Sequence, residues 1–419
     1  MHKSFSFFIS SNMRGLSLIT FSLFLVLSSA IFSAADQLIH KNETDPPIFH
    51  SLVSSFAYAL KGNVFPRGIY VASINIGNPP KPYELDIDTG SDLTWIQCDA
   101  PCTHCTVPKE KLYKPHDNYV KCSDPMCSLI PPIGGTCPKP NDQCKYKLEY
   151  ADQGTSAGAL VRDYIPIATI KPPATQPLLA FGCGTDQRFP SNTPPSVGVL
   201  GLGGGKISIV SQLNSLGLTR RVLGHCLSSR EGGYLFFGDK FIPGSGLVWT
   251  PIVNGPHYIV GPADLLFDGN PTSVKGLQLT FDSGSTYTYF TPQIYNAIFN
   301  QVTANLKGKP LSRSIEDKTL PVCWESNLKP PKHFKSLNEV KGFFKPLTLI
   351  FTKSKNLQFQ IPPEYYLIIS KYGSVCFGIL DHMSTNIIGD IFMQDKVVIY
   401  DNEKQQVGWA SANCNQVPH

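Results

Sequence analysis

A motif that occurs twice constrains this chain more than any other feature. Leu85-Asp86-Ile87-Asp88-Thr89-Gly90-Ser91 carries an aspartate, a small hydroxyl residue, a glycine and a second hydroxyl residue. Phe281-Asp282-Ser283-Gly284-Ser285 repeats that core, with its aspartate 194 positions later, from 88 to 282. The apolar residues before each aspartate read as a buried strand, and Gly90 and Gly284 then let the chain turn sharply. An aspartate at such a turn is presented at a strand end, where backbone N–H groups and the hydroxyls can orient it. With average residue usage a chain of this length holds about 0.02 such tetrapeptides by chance, so two arise in roughly one chain of several thousand. The pair is the signal.

A second duplication runs in step with the first. Gly198-Val199-Leu200-Gly201 ends 113 positions after Asp88, and Asn386-Ile387-Ile388-Gly389 ends 107 positions after Asp282. Matched order and spacing imply two related lobes, each lending one carboxylate to a shared site. On these residues, over about 66–414, the sequence resembles a pepsin-like aspartic endopeptidase, and in detail the plant nucellin-like and nepenthesin-like branch. The resemblance implies a mostly β, bilobal pepsin-like aspartic protease fold: two pseudo-symmetric β-rich lobes with a cleft between them, and short helices. It implies Asp88 and Asp282 as catalytic aspartates, supported by Thr89, Gly90, Ser91, Ser283, Gly284 and Ser285. It also implies extended protein or peptide substrates, a monomer and no cofactor.

Length and composition agree with this reading. The 419 residues suit two lobes better than one core, and 34 Gly with 35 Pro suit many turns and short strands. The formal charge of +5 is too mild for a nucleic-acid footprint. Lys3 and Arg14 precede an apolar run, Leu16–Phe32, that ends in Ser33-Ala34-Ala35. Residues 1–35 are therefore expected to be a signal peptide, with Met13 as an alternative start, leaving no membrane anchor in the mature chain. No lipid-anchor tail follows Asn415. The expected destination is the secretory pathway, then the cell wall, the extracellular space or a vacuole.

Residues 36–65 are expected to be a short leader carrying the Asn42-Glu43-Thr44 glycan acceptor. The lobes are then expected over 66–246 and 247–419. Strands are expected over Ile69–Gly77 and Lys81–Leu85, joined by the turn Asn78-Pro79-Pro80. Tyr146–Gly158 reads as a strand, a glycine-containing turn and a returning strand, a hairpin able to close over a cleft. It matches the family's flap, with Tyr150 as the flap tyrosine and Trp95 bracing it. Asp86, a charged residue within a strand, is expected to be a hydrogen-bonded structural carboxylate.

Gly201–Lys206 lacks the first glycine and the Ser or Thr of a phosphate loop. It reads instead as a turn into a helix, Ser208–Leu216, stopped by Gly217. A second helix is expected from Pro292 to about Leu306. The lysine-bearing, proline-rich span 307–345 reads as solvated loops.

Seven of the 12 cysteines crowd into Cys98–Cys144. Cys102-Thr103-His104-Cys105 is half of a zinc pattern, but no second pair completes it. The even count and the secretory signal favour disulfides. Spacing leaves their connectivity open. The resemblance implies Cys98–Cys102, Cys105–Cys183, Cys122–Cys144, Cys127–Cys137, Cys226–Cys414 and Cys323–Cys376.

The expected chemistry is hydrolysis without metal or covalent intermediate. Two carboxylates in one site cannot both be charged cheaply, so one serves as acid and the other as base around a water. A glycosidase also uses two carboxylates, but does not require duplicated turns. An inactive binding or inhibitor protein on the same fold would be expected to have lost part of a motif, whereas both are complete here.

Overall fold

A computed structural model describes residues 54–417, apart from 131–136, 138, 168–174, 191–195, 254 and 382–383. The expected signal peptide, most of the expected leader and Asn42 lie outside the described residues. No described helix is long and apolar enough to cross a membrane.

Short alternating strands dominate, as period-two apolar patterning requires. In the first half these are β1 (Phe56–Asn63), β2 (Ile69–Ile76), β3 (Lys81–Asp88), β4 (Trp95–Gln97), β5 (Lys145–Glu149) and β6 (Thr155–Tyr164). β7 (Leu178–Arg188), β8 (Gly198–Gly201), β9 (Val222–Leu227) and β10 (Gly233–Phe237) follow. β2 and β3 form the expected hairpin, with Leu85 opposite Ala72. Their alternate side chains, among them Ile74, Tyr83, Leu85 and Ile87, are buried together in the core. Helix α1 (Ile209–Ser215) begins where Ser208 accepts the Ser211 N–H at 3.3 Å, and the chain turns away at Gly217, with φ +69°. Helix α2 (Pro292–Asn305) has proline in its first turn.

Two expectations about boundaries change. β1 lies between β2 and β10 in the largest sheet, pairing Leu60 with Ala72 on one side and Tyr58 with Leu235 on the other. Phe56 and Leu60 are buried there. The end of the expected 36–65 leader is thus part of the folded body, because its backbone fills an interior position of a sheet. The expected division at 246/247 does not divide the sheets. Strands Val248–Pro251, Gln406–Ser411 and Lys396–Asp401 of the second half join β9 and extend the same 13-stranded sheet. An eight-stranded and a four-stranded sheet build the rest of the second half.

The disulfides divide in the same way. Cys226–Cys414 and Cys323–Cys376 form as the resemblance implies. Cys323 and Cys376 face each other directly across an antiparallel pair. Cys226 lies opposite Val397, so the last strand pair delivers Cys414 to β9. Replacing both Cys226 and Cys414 by Ser is expected to lower the unfolding free energy by about 2–5 kcal/mol in a denaturant titration, since the bond closes a long loop. An unchanged midpoint would contradict that role.

The other four implied pairs are corrected. The structure forms Cys98–Cys183, Cys102–Cys105, Cys122–Cys137 and Cys127–Cys144. β4 runs parallel to β7 with Ile96 against Cys183, which sets Cys98 beside Cys183 in the core and leaves Cys102 and Cys105 to each other on the outer loop. Among the remaining four, the Cys127 and Cys137 Sγ atoms are only 3.4 Å apart. These sulfurs form one cluster, in which the implied and observed pairings differ by exchange between neighbours. None of the 12 cysteines is free.

Candidate active site

β3 and the strand Leu277–Phe281 deliver the two aspartates in the same way. β3 runs parallel to β8, with Asp88 beside Gly201, and Leu277–Phe281 runs parallel to Ile387–Ile388. The second duplicated element is therefore the strand against which each catalytic turn rests. Its glycines are needed for close approach: a Cβ on Gly389 would lie 2.0 Å from the Tyr287 carbonyl oxygen, and one on Gly201 2.6 Å from Asp92 backbone.

The two turns then lock together. The Thr89 N–H donates to Ser283 Oγ at 3.1 Å, and the Ser283 N–H donates to Thr89 Oγ1 at 3.0 Å. Each hydroxyl also donates across, Thr89 to the Phe281 carbonyl at 3.1 Å and Ser283 to that of Ile87 at 2.9 Å. Both hydroxyls are buried, so these crossed bonds are strong and costly to lose.

Symmetry extends to the carboxylates. Asp88 accepts from the Gly90 N–H at 2.8 Å and from the Ser91 hydroxyl; Asp282 accepts from the Gly284 N–H at 2.9 Å and from the Ser285 hydroxyl at 2.8 Å. A Cβ on Gly90 would come within 2.5 Å of Asp282 Oδ1, and one on Gly284 within 2.5 Å of Asp88 Oδ1. Each glycine thus lies flat against the other turn's carboxyl. Burial, followed by the charge of Asp282, pushes Asp88 up from the ordinary carboxyl range to about 8. That favours one retained proton in the pair.

The flap residues come together as well. Tyr150 closes β5, and its turn is held by Tyr150 N–H to the Gly154 carbonyl at 2.8 Å and Gly154 N–H to Asp152 Oδ1 at 2.8 Å. Gln153 occupies the left-handed region within this turn, with φ +70°. The buried Trp95 donates its indole N–H to the Tyr150 hydroxyl at 2.6 Å, while the Ser91 hydroxyl donates to Asp88.

Several neighbours carry no motif and were missed. Phe189 stacks on Trp95 with 6.0 Å between ring centres and lies against Tyr150. Asp92 is wrapped by the glycine-rich loop, accepting from the Gly205 N–H at 2.8 Å. Tyr400 Oη lies 3.4 Å from Thr89 Oγ1 and 3.0 Å from Nε2 of the fully buried His225. Asp390 is buried with one carboxyl oxygen unpartnered. Asp86 departs from expectation: its side chain makes no hydrogen bond to another described residue. Burial, then Asp88 and Asp282, raise it well above the usual range. Asp390 is raised in the same way by burial and then by Asp86, so both are neutral acids behind the dyad in acid.

Comparison with known proteins agrees with this geometry. Residues 70–239 match the family described as xylanase inhibitor N-terminal, and residues 263–411 match xylanase inhibitor C-terminal. An aspartic proteinase of rice, Oryza sativa subsp. japonica, is 44% identical over 87% of this chain and 92% of its own length. Aspartic proteinase 36 of Arabidopsis thaliana is 32% identical over 83% of this chain and 74% of its own. The fold is similar to that of soybean basic 7S globulin, with a TM-score of 0.66 at 17% identity, covering 87% of this chain and 96% of the globulin. With two paired aspartate turns, matching halves and relatives of this identity, the chain belongs to the plant branch of the pepsin-like aspartic proteinase family.

Proposed function

We propose that the chain is an aspartic endopeptidase of the secretory pathway, nucellin-like in type, that cuts extended peptides between Asp88 and Asp282. The observation that carries this reading is the crossed Thr89–Ser283 lock, which holds two oriented carboxyls together across a two-fold site. A water between them gives a proton to the ionised carboxyl and attacks the peptide carbonyl, while the protonated carboxyl donates to the carbonyl oxygen. Proton return to the amide nitrogen then releases both products. The acid and base roles belong to the coupled pair rather than to either residue. Closing the flap excludes solvent, and Trp95 fixes the position of the Tyr150 hydroxyl over the cleft. The mature enzyme is proposed to act as a monomer, outside the cell or in a vacuole.

A second reading, a pepsin-fold binding protein with little or no turnover, draws on the xylanase-inhibitor family descriptions and the likeness to 7S globulin. The pH–rate profile separates the two. Asp88 is raised, so the singly protonated dyad dominates in acid and the second proton leaves as pH rises. Peptide hydrolysis is therefore expected to be greatest in acid and to decline once both carboxyls ionise. A rate that climbs steadily through about pH 8 would contradict this mechanism, and absence of turnover at every pH favours the binding protein.

A further inference from the structure

The lysine-bearing span that the sequence leaves as solvated loops does not disperse its charges. Phe334 N–H donates to the Gly373 carbonyl at 2.9 Å, and His333 Nδ1 lies 2.9 Å from the Tyr372 carbonyl oxygen. Those bonds dock the 329–335 loop on the hairpin between Leu367–Ile369 and Val375–Phe377. Between loop and hairpin opens a hollow of about 760 Å³, whose lining includes Phe65, Phe334 and Ile369 with Lys335, Lys371 and Tyr372. Its floor is apolar and its rim cationic.

Pairing charges are scarce at that rim. Lys332 is bridged to Glu339 at 2.8 Å, whereas Lys309, Lys329, Lys335 and Lys371 make no ion pair with any described residue. The Asn327 N–H to Pro310 carbonyl bond brings Lys309 to the same edge as Leu328 and Lys329. Leu328 and Tyr372, 50% and 55% exposed, are among the most exposed large apolar side chains. Cations without a carboxylate partner, Lys371 resting only on the Tyr372 ring, beside exposed apolar groups mark a surface suited to a partner offering both complements.

We infer that this hollow is a docking site for protein substrates, taking an extended segment in which acidic residues alternate with apolar ones. The apolar side chains cover Phe65, Phe334 and Ile369, and the carboxylates meet Lys335 and Lys371. A polyuronate chain would satisfy the lysines but leave that floor uncovered. The site adjoins the catalytic turns through one short segment. Phe65 lies three residues before Gly68, whose carbonyl accepts the Thr286 hydroxyl just past the second turn. A substrate held here presents a neighbouring stretch of its chain to the cleft, lowering KM without altering the chemical step. This inference rests on the endopeptidase reading for its purpose, but docking is measurable without turnover.

The test uses full-length Asp88→Asn protein and a fluorescent peptide of about twelve residues alternating Glu and Phe, beside one alternating Lys and Phe. Fluorescence anisotropy is expected to show the acidic peptide binding at least about tenfold tighter than the basic one. The preference should collapse in a Lys335→Glu, Lys371→Glu variant and in high salt. It should persist when a transition-state mimic fills the cleft. Equal binding of the two peptides, acidic binding unaffected by the double variant, or lysine-dependent binding of polygalacturonate without the peptide would each overturn it. With active protein, appending the acidic segment to a cleavable peptide should lower KM and leave kcat unchanged. Failure of all hydrolysis would count against the endopeptidase reading while the anisotropy result stands.

Discussion

Asp282→Asn is expected to lower kcat for peptide hydrolysis by about a thousandfold or more while the protein still folds. The amide keeps the volume: its oxygen can still accept from the Gly284 N–H, and its NH2 can donate to the Ser285 hydroxyl oxygen where the second carboxyl oxygen accepted. It cannot take part in sharing a carboxyl proton with Asp88. The crossed lock does not depend on either carboxyl, since it runs through Thr89, Ser283 and backbone. Loss of activity with an unchanged melting transition is the expected pattern. Near wild-type turnover in purified Asp282→Asn would remove the dyad from the mechanism.

The second large effect concerns acid stability and comes from His225. Tyr400 Oη lies 3.4 Å from Thr89 Oγ1 and 3.0 Å from His225 Nε2, so the imidazole meets a polar partner through one nitrogen only. The other ring nitrogen, Nδ1, is buried without a partner. A proton added there would bring an uncompensated charge into the core, and burial lowers this imidazole to about 3. The folded pKa lies below the unfolded one, so the unfolded chain takes up the proton first. Stability is thus lost as pH falls below about 6.5, and the loss levels off near the folded pKa. Between pH 7 and pH 4 this one residue costs about 3 kcal/mol. His225→Gln, which keeps an N–H for Tyr400 but does not titrate, should flatten the dependence by that amount in chemical unfolding at the two pH values. Parallel curves for wild type and variant would show that His225 is not the sensor. The dyad therefore favours acid while the core beneath it is weakened by acid.

What could be read from the sequence was whatever recurs locally. Both catalytic turns, their supporting strands, the flap and α1 each declare themselves within a dozen residues, through alternation, a glycine turn or a capping serine. Contacts made at long range did not. Tyr400 meets Thr89 across 311 positions, and nothing around Val397–Asp401 distinguishes that tyrosine from a core residue. Phe189 is one aromatic among many until β7 carries it to Trp95. In the sequence β1 reads as leader, because Phe56–Asn63 acquires meaning only between β2 and β10, which supply its backbone partners. The crowded cysteines show the same limit: their number implied disulfides, but the β4–β7 register decides which sulfurs meet.

The central claim is that Asp88 and Asp282 form a working proteolytic pair. Digestion of a proteome-derived peptide library in acid tests it most directly, with wild type and Asp88→Asn in parallel and cleavage sites identified by mass spectrometry. Internal cleavage of many peptides by wild type, absent with Asp88→Asn and blocked by a hydroxyl-bearing transition-state mimic, is the predicted result. Identical digests from both proteins, or no cleavage by folded wild type across the acid range, would contradict it.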